Sequence, residues 1–210
     1  MSAPAARAAG SDPVEAVQQR FPDAVRSTHA FRGDATVNLR RESLVDVARF
    51  LKEDPGLAMD FLMDLTAVDY SAFGETREMA FFASSGVGVR PTPVIPDEDP
   101  WPGPPVSSLP EPERFAVVYH FFSTTHKHRV RLVVPVGGDA AGADAPEVDS
   151  LAALWPGANW LEREVWDMFG VRFAGHPDPR RILMYEGFEG HPLRKDYPVD
   201  KRQPLIGPVN

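Results

Sequence analysis

Two histidines in identical tripeptides are the residues of this sequence best suited by type to acid–base chemistry. His176 and His191 each follow a glycine and precede a proline. A catalytic histidine needs a pocket and a carboxylate that orients its ring, and Asp178 and Glu189 are close enough in sequence to provide one. However, no nucleophile motif, glycine-rich phosphate loop or metal-ligand spacing accompanies them. An enzyme that uses His176 or His191 as its base is therefore the weaker of two hypotheses.

Arginines follow both tripeptides and indicate a different chemistry. Arg180 and Arg181 come shortly after the first tripeptide, and Arg194 comes shortly after the second. The planar guanidinium group forms paired hydrogen bonds with a carboxylate and remains charged when it is removed from water. These positions therefore suit recognition of acidic groups.

An amphipathic helix is predicted immediately before the histidines, from residue 159 to 170. Asn159 can act as N-cap, Glu162 stands three residues later in the capping-box position, and Gly170 can end the helix as a left-handed cap. The apolar face, at spacing i, i+4, i+7 and i+8, consists of Leu161, Val165, Met168 and Phe169. On the remaining surface we expect Glu162, Arg163, Glu164 and Asp167, interleaved with Trp160 and Trp166. Periodicity alone predicts a helix docked on its own sheet with a solvated outer face.

Residues 171–210 are predicted to form an extended arm. Six prolines in this range remove backbone donors and bias the preceding residues to extended geometry. The range is nevertheless too apolar for an ordinary disordered tail. It is also locally positive on a chain of net charge −8. Such a segment needs a surface to lie on, which we expect to be partly its own domain and partly a partner.

The order of these motifs resembles one known family. ERE-x-WDMFG, then F-x-GHPD-x-RRIL and G-x-x-GHPLRKDYP, closely resemble the C-subunit of NADH-quinone oxidoreductase, the 30 kDa subunit of respiratory complex I. The resemblance is strongest over residues 155–198. A weaker resemblance extends back through FLMDLTAVDY and RFAVVYHFFS.

The resemblance implies a structural subunit of the peripheral arm of a proton-translocating NADH-quinone oxidoreductase, without catalytic activity of its own. Electrons would pass from NADH through FMN and iron–sulfur clusters in partner subunits to quinone, and this chain would hold no cofactor or metal. The implied partners are the quinone-site (49 kDa-type) subunit and the adjacent cluster-bearing subunit. The implied location is the cytoplasmic side of a bacterial plasma membrane. The alternative within the resemblance is the equivalent subunit of a hydrogenase-type membrane complex.

The same resemblance directs attention to the subunit interface. We expect Arg180, Arg181, Arg194 and Lys195 to pair with carboxylates on neighbours, because desolvated arginine and aromatic residues usually dominate interface energies. Trp166, Phe169, Tyr185 and Tyr197 are the expected apolar anchors. The predicted interface residues in full are Glu162, Arg163, Glu164, Trp166, Asp167, Phe169, His176, Arg180, Arg181, Tyr185, His191, Arg194, Lys195, Asp196 and Tyr197.

Composition sets further bounds on function. The chain has 43% hydrophobic and 25% charged residues, which is typical of a globular protein. It has no cysteine, which excludes disulfides, cysteine-ligated zinc and cysteine-ligated iron–sulfur clusters. The acidic balance argues against a general nucleic-acid binder. No apolar run is long enough to span a membrane, so we expect no direct membrane insertion.

The remaining pattern predicts an α+β domain over residues 12–170, with helices on a mixed or antiparallel sheet, followed by the extended proline-rich C-terminal arm. Residues 1–11 are predicted to be a flexible leader, and 91–112 a proline-rich surface insertion. Helices are expected at 12–21, 43–54 and from 148 to 154, a strand at 36–39, and a hairpin at 115–123 and 129–136. Residues 61–70 are interpreted as a buried strand or helical turn.

Two smaller clusters of polar residues have structural explanations. Asp60, Asp64 and Asp69 are interpreted as capping and turn aspartates rather than an acid–base pair. His120, His126 and His128 lack an acidic residue to complete a metal-ligand set, so a metal site there is a minor hypothesis.

Overall fold

A five-stranded mixed sheet forms the framework of the protein. The computed structural model describes residues 12–71, 113–137 and 145–203, so the predicted leader and the 91–112 insertion lie outside the described residues. The strands are β1 (Val25–Phe31), β2 (Asp34–Leu39), β3 (Phe61–Asp69), β4 (Phe115–Phe122) and β5 (Arg129–Pro135). Their order is β1-β2-β5-β4-β3, with β2 and β5 parallel and the other pairs antiparallel. The α+β prediction is confirmed.

Alternating residues of the interior strand β4 define the covered side of the sheet. Phe115, Val117, Tyr119 and Phe121 are fully buried. They belong to one continuous core that includes residues of all three helices. This alternation is expected where one sheet face packs on a core.

Helices α1 (Pro13–Arg20) and α2 (Leu44–Glu53) contribute to this core, close to the predicted ranges 12–21 and 43–54. The Asp12 side chain accepts a hydrogen bond of 2.8 Å from the N–H of Val14 and caps α1. Ser43 holds the N-cap position of α2 without a side-chain cap bond, and a short 3-10 turn at Arg41–Ser43 leads into the helix.

A second, two-stranded parallel sheet corrects one prediction. Strands β6 (Glu147–Asp149) and β7 (Arg172–Ala174) pair through Val148 and Phe173. The helix predicted from 148 to 154 is therefore wrong, because its first residues form a strand and the rest form a turn closed at Leu151. The partner strand lies more than twenty residues away in sequence, so local periodicity could not reveal the pairing.

Helix α3 spans Ala158–Phe169 and carries the most densely charged motif. Gly170 ends it in the left-handed conformation, with φ of 74°, as predicted. The predicted N-terminus is wrong, because Gly157 holds the N-cap position, Asn159 lies inside the helix, and Glu162 bonds to β6 and the following turn instead of closing a capping box.

A backbone hydrogen bond joins the residue after β3 to the residue before β4. Tyr70, just after β3, donates its N–H to the carbonyl of Arg114, just before β4, at 2.7 Å. Residues 72–112 connect these two positions. The ends of that segment are therefore held next to each other by the sheet.

Candidate docking face on helix α3 and the C-terminal segment

Asp167 is the principal anchor of the segment that follows α3. Its side chain is fully buried. One carboxylate oxygen accepts hydrogen bonds from the successive N–H groups of Ile182, Leu183 and Met184, at 3.1, 2.8 and 2.8 Å. The other oxygen accepts a bond of 2.5 Å from Arg181. Burial raises the pKa of Asp167, but these hydrogen bonds outweigh that effect and hold the pKa below its usual value.

Arg181 is held on both sides by aromatic rings. Its guanidinium carbon lies 5.5 Å from the ring centre of Trp166 and 5.6 Å from that of Phe188. It also donates to the carbonyl of Gly190 at 3.0 Å. Cation–π contact adds to the ion pair with Asp167. Arg181 thus joins α3 to both Gly-His-Pro regions within one chain.

A second anchor lies at the end of β3, where Asp69 is the turn aspartate that the sequence predicted and also binds the C-terminal segment. Asp69 is buried and accepts a hydrogen bond of 2.9 Å from the N–H of Lys195 and one of 3.0 Å from the N–H of Ser71. Arg114 bridges Asp69, at 3.4 Å, and Asp196, at 2.7 Å. Burial raises the pKa of Asp69, but the bonds from Lys195, Ser71 and Arg114 together leave it lowered. Only the short DYS sequence, which favours an aspartate turn, gave any signal of this role.

The turn at Gly170 accepts no larger residue. A Cβ added there would lie 2.6 Å from the His191 ring and would also overlap the Arg194 guanidinium. Arg194 donates from Nε to the carbonyl of Phe169 and lies over the Phe115 ring at 5.3 Å. Gly170 is therefore required both by its positive φ and by the close approach of the C-terminal segment.

The two histidines serve as hydrogen-bonding supports. The Nδ1 atom of His176 accepts from the N–H of Asp178 at 3.0 Å, so Nε2 carries the proton and donates to the carbonyl of Asn159 at 3.0 Å. The Nδ1 atom of His191 donates to the carbonyl of Asp167 at 3.0 Å. Burial lowers the pKa of His191, and nearby Arg194 and Arg181 act in the same direction. Both rings hydrogen-bond to backbone groups, and the nearest carboxylate to His176 is that of Glu162, 3.8 Å from Nε2 and beyond hydrogen-bond distance.

The predicted interface residues divide into buried and accessible groups. Glu162 and Asp167 have no exposed side-chain surface, so the prediction that they lie on the outer surface of α3 is corrected. Their side chains bind within the chain because each finds backbone N–H donors there. The exposed members are Glu164, Arg180, Lys195 and Asp196. The half-buried members are Arg163, Trp166, Phe169, His176, Arg181, Tyr185, His191, Arg194 and Tyr197.

Several arginines expected to bind neighbours have partners in this chain. Arg180 forms a two-bond pair with Asp178, at 2.6 and 2.8 Å. Arg163 donates to the carbonyls of Arg180 and Arg181. Contacts of these arginines with a partner subunit stay a prediction.

Three large apolar side chains of the C-terminal segment are exposed. Leu183 and Leu193 are 56% and 51% exposed, and Val199 is entirely exposed. In the same segment, Tyr185 meets Phe188 edge to face with ring centres 5.7 Å apart, and Phe188 stacks on Tyr197 at 6.0 Å. We call residues 176–203 together with the outer surface of α3 the docking face.

The other polar clusters do not form a metal site within residues 12–71, 113–137 and 145–203. No group of three or more His, Asp or Glu side chains in those ranges is arranged to hold an ion. His126 and His128 bond to the carbonyls of Pro55 and Leu57, each at 2.9 Å. Asp60 accepts from Thr124 across the sheet. Of the helices in the described ranges, none combines the length and apolar character needed to cross a bilayer.

Comparison with known proteins identifies relatives over most of the sequence. A family model described as the 30 Kd subunit of respiratory-chain NADH dehydrogenase matches residues 37–203. The NADH-quinone oxidoreductase C-subunit from Roseiflexus sp. (strain RS-1) is 41% identical over 186 residues, which is 89% of this chain and 82% of the relative. The C-subunit from Acidithiobacillus ferrooxidans is 38% identical over 90% of this chain and 77% of the relative.

Solved structures agree with this relationship. A trypsin-resistant fragment of Nqo5 superimposes with a TM-score of 0.53 at 26% identity, covering 80% of this chain and 99% of the fragment. A chain of the archaeal membrane-bound sulfane sulfur reductase superimposes with a TM-score of 0.57 at 17% identity, over 89% of this chain and 84% of that chain, and shows the fold alone. By its matched length and its relatives, the chain belongs to the family of the 30 kDa subunit of respiratory-chain NADH dehydrogenase.

Proposed function

We propose that this protein is a structural subunit of the peripheral arm of proton-translocating NADH-quinone oxidoreductase, with no active site of its own. In the assembled enzyme, electrons pass from NADH through FMN and iron–sulfur clusters in partner subunits to quinone. The docking face binds the quinone-site (49 kDa-type) subunit and the adjacent cluster-bearing subunit. The protein is peripheral, on the cytoplasmic side of a bacterial membrane, and is held there through the complex.

The observation that carries this proposal is the combination of firm anchoring and apolar exposure in the docking face. Asp167 and Asp69 fix the C-terminal segment through buried hydrogen bonds. The same segment exposes Leu183 and Leu193. Large apolar side chains held out from a fixed backbone suit association, since little conformational entropy remains to be lost on binding.

The exposed charges of the docking face are of both signs. Lys195, Lys201 and Arg202 are exposed, and so are Glu186, Glu189, Asp196 and Asp200. Charged groups beside apolar anchors form the polar rim that usually surrounds the buried centre of an interface. We therefore propose that carboxylates on the partner meet individual basic residues of this rim, such as Lys195.

The surroundings of the two histidines favour a structural subunit over an enzyme that uses His176 or His191 as its general base. The unprotonated nitrogen of His176 already accepts a hydrogen bond from Asp178, so it is not available to remove a proton from a substrate. The His191 ring is packed against the Gly170 turn. Both rings act as supports for the docking face.

The test is native purification of the tagged chain from solubilised membranes, followed by identification of its companions and assay of NADH oxidation by a quinone. We expect companions that carry flavin and iron–sulfur clusters, together with inhibitor-sensitive quinone reduction. Companions of a hydrogenase-type complex without NADH oxidation would establish the alternative. A chain purified without companions would refute the proposed function.

A further inference from the structure

Glu162 is a buried carboxyl group without a cationic partner among the described residues. Its side chain has no exposed surface. It accepts hydrogen bonds from the Ser150 hydroxyl at 2.6 Å and from the N–H of Leu151 at 2.7 Å, and both donors are neutral. Burial raises the pKa of Glu162 to about 7 despite these two bonds. An ionised carboxylate in this position is therefore poorly compensated by its own chain.

The nearest group that could carry a positive charge is His176, whose two ring nitrogens already have backbone hydrogen-bond partners. Nε2 of His176 lies 3.8 Å from the Glu162 carboxylate. Nδ1 of His176 accepts a hydrogen bond from the N–H of Asp178, and Nε2 is bonded to the carbonyl of Asn159 rather than to Glu162. Arg163, the next residue on α3, donates instead to the carbonyls of Arg180 and Arg181.

A cavity of about 330 Å³ adjoins this carboxyl group, between α3 and the β6–β7 sheet. Its most buried lining residues are Glu162 and His176, with side chains 0% and 3% exposed, so they mark its closed end. Trp166, Phe173 and Pro179 supply apolar walls. The space is large enough for a long side chain, since a water molecule occupies only about 30 Å³ of liquid.

The other charged residues that line the cavity are Glu147, Arg163 and Arg172. Glu147 and Arg172 face each other in the register of β6 and β7. Arg163 lies 3.8 Å from Asp178, which also pairs with Arg180. None of these cations forms an ion pair with Glu162. The pKa of the Tyr119 hydroxyl on β4 is raised by burial and, further, by the carboxylates of Glu162 and Asp149.

We propose that the Glu162 cavity receives one basic side chain, a lysine or an arginine, from a partner subunit. Its aliphatic stem lies against Phe173 and Pro179, with the Trp166 ring available for cation–π contact. Its charge comes within the distance of about 4–6 Å at which an opposite charge stabilises a carboxylate. This inference rests on the proposed function, because it requires an assembled complex.

The reason for the inference is that Glu162 is unfavourable in the isolated fold. A glutamine of the same shape could accept from Leu151 and donate to Ser150 without any buried charge. A buried charge that the described residues do not neutralise is explained when the neutralising group comes from a partner.

The test compares Glu162→Gln with Glu53→Gln, an exposed carboxylate at the end of α2 and outside the docking face. We expect Glu162→Gln, as an isolated chain at pH 8, to be at least as stable to urea as the unmodified chain. In cells, the same variant should co-purify with at least tenfold less of its partner subunits, whereas Glu53→Gln should co-purify normally. Assembly of Glu162→Gln equal to that of the unmodified chain would overturn the inference.

A structure of the assembled complex decides the matter if Glu162→Gln does not fold. A lysine or arginine nitrogen of a partner within about 6 Å of the Glu162 carboxylate supports the inference. A cavity that holds no basic side chain in the complex overturns it. If the unmodified chain has no companions at all, the proposed function is wrong. If it has companions but the Glu162 cavity holds no basic side chain, only the present inference is wrong.

Discussion

The carboxylate of Asp69 accepts a hydrogen bond from the backbone N–H of Lys195 at 2.9 Å, across 126 positions of sequence. The bond joins the end of strand β3 to the segment that exposes Leu193. The orientation of the docking face is thus set by the main sheet as well as by α3. A change to Asp69 should disturb the docking face while the hydrophobic core remains in place.

Replacing Asp69 by asparagine should release the segment around Lys195. The amide retains the shape but loses the charge that strengthens the bonds from Lys195 and Arg114, so we expect a loss of about 1.5–3 kcal/mol in the free energy of unfolding. Hydrogen exchange at the Lys195 amide measures the local effect directly. Asp64→Asn, on the exposed side of the same strand, is the control. Unchanged protection of Lys195 in Asp69→Asn would contradict the anchoring role.

Replacing Asp167 by alanine should have a larger effect. Three backbone N–H groups and Arg181 lose their acceptor, and removal of one member of a buried ion pair costs about 3–5 kcal/mol. Urea unfolding monitored by fluorescence measures the loss, and limited proteolysis should show new cleavage between residues 180 and 191. Asp46→Ala, an exposed acidic residue on α2, should change stability by less than about 0.5 kcal/mol.

Gly170→Ala and Gly157→Ala form a matched pair. At Gly170 a methyl group meets the His191 ring and Arg194 at positive φ, and we expect a loss of at least about 1–2 kcal/mol. At Gly157, φ is −64° and no atom lies within 4 Å of an added Cβ. There we expect a change near zero or a gain of about 0.4–1 kcal/mol. Equal melting temperatures for the two variants would count against the close packing at Gly170.

The stability of the isolated chain should fall as pH rises towards 7 because of Glu162. In the unfolded chain this group loses its proton near its ordinary value of 4.5, whereas in the folded chain it does so near 7. Its contribution is therefore complete below about pH 4.5 and is lost by pH values above 7, a difference of about 3 kcal/mol. Urea titrations between pH 5 and 8 should show this slope in the unmodified chain and a flatter profile in Glu162→Gln. Parallel profiles would show that Glu162 does not titrate in this range.

Leu193→Asp should impair assembly without unfolding the subunit. The side chain is half exposed, and its backbone N–H bond to the carbonyl of Met168 does not depend on the side chain. Burying the new charge opposite an apolar partner surface is costly, so co-purified partner subunits should fall at least tenfold. Phe61→Asp, equally exposed at the far end of β3, is the control. An equal loss in both variants would point to general instability.

Local sequence patterns predicted the elements that depend on near neighbours. The hairpin of β4 and β5, helices α1 and α2, and the left-handed cap at Gly170 follow from periodicity, caps and turn residues. Strand β1 was missed although it forms a local hairpin with β2 around Arg32 and Gly33, because none of its side chains is buried and its sequence has no apolar alternation. The pairing of β6 with β7 was missed because the two strands lie far apart in sequence. A three-residue strand gives no periodic signal.

The family motif directed attention to α3 and the segment after it, but the helical pattern placed two residues on the outer surface that the structure buries. On a helical projection, Glu162 and Asp167 lie beside other charged residues and resemble part of a solvated surface. The structure buries them because backbone N–H groups outside α3, those of Leu151 and of residues 182–184, point towards them. The positions of such donors depend on the path of the chain after the helix, which sequence spacing does not specify.

The backbone bond between Tyr70 and Arg114 indicates where a label could be inserted into the chain. Because Tyr70 and Arg114 lie side by side, we expect a longer chain between them to cost about 0.6 kcal/mol of loop-closure entropy for each doubling of its length. A fluorescent domain or an affinity handle placed between residues 72 and 112 should therefore leave the docking face intact, which provides a route to labelling the protein inside its complex.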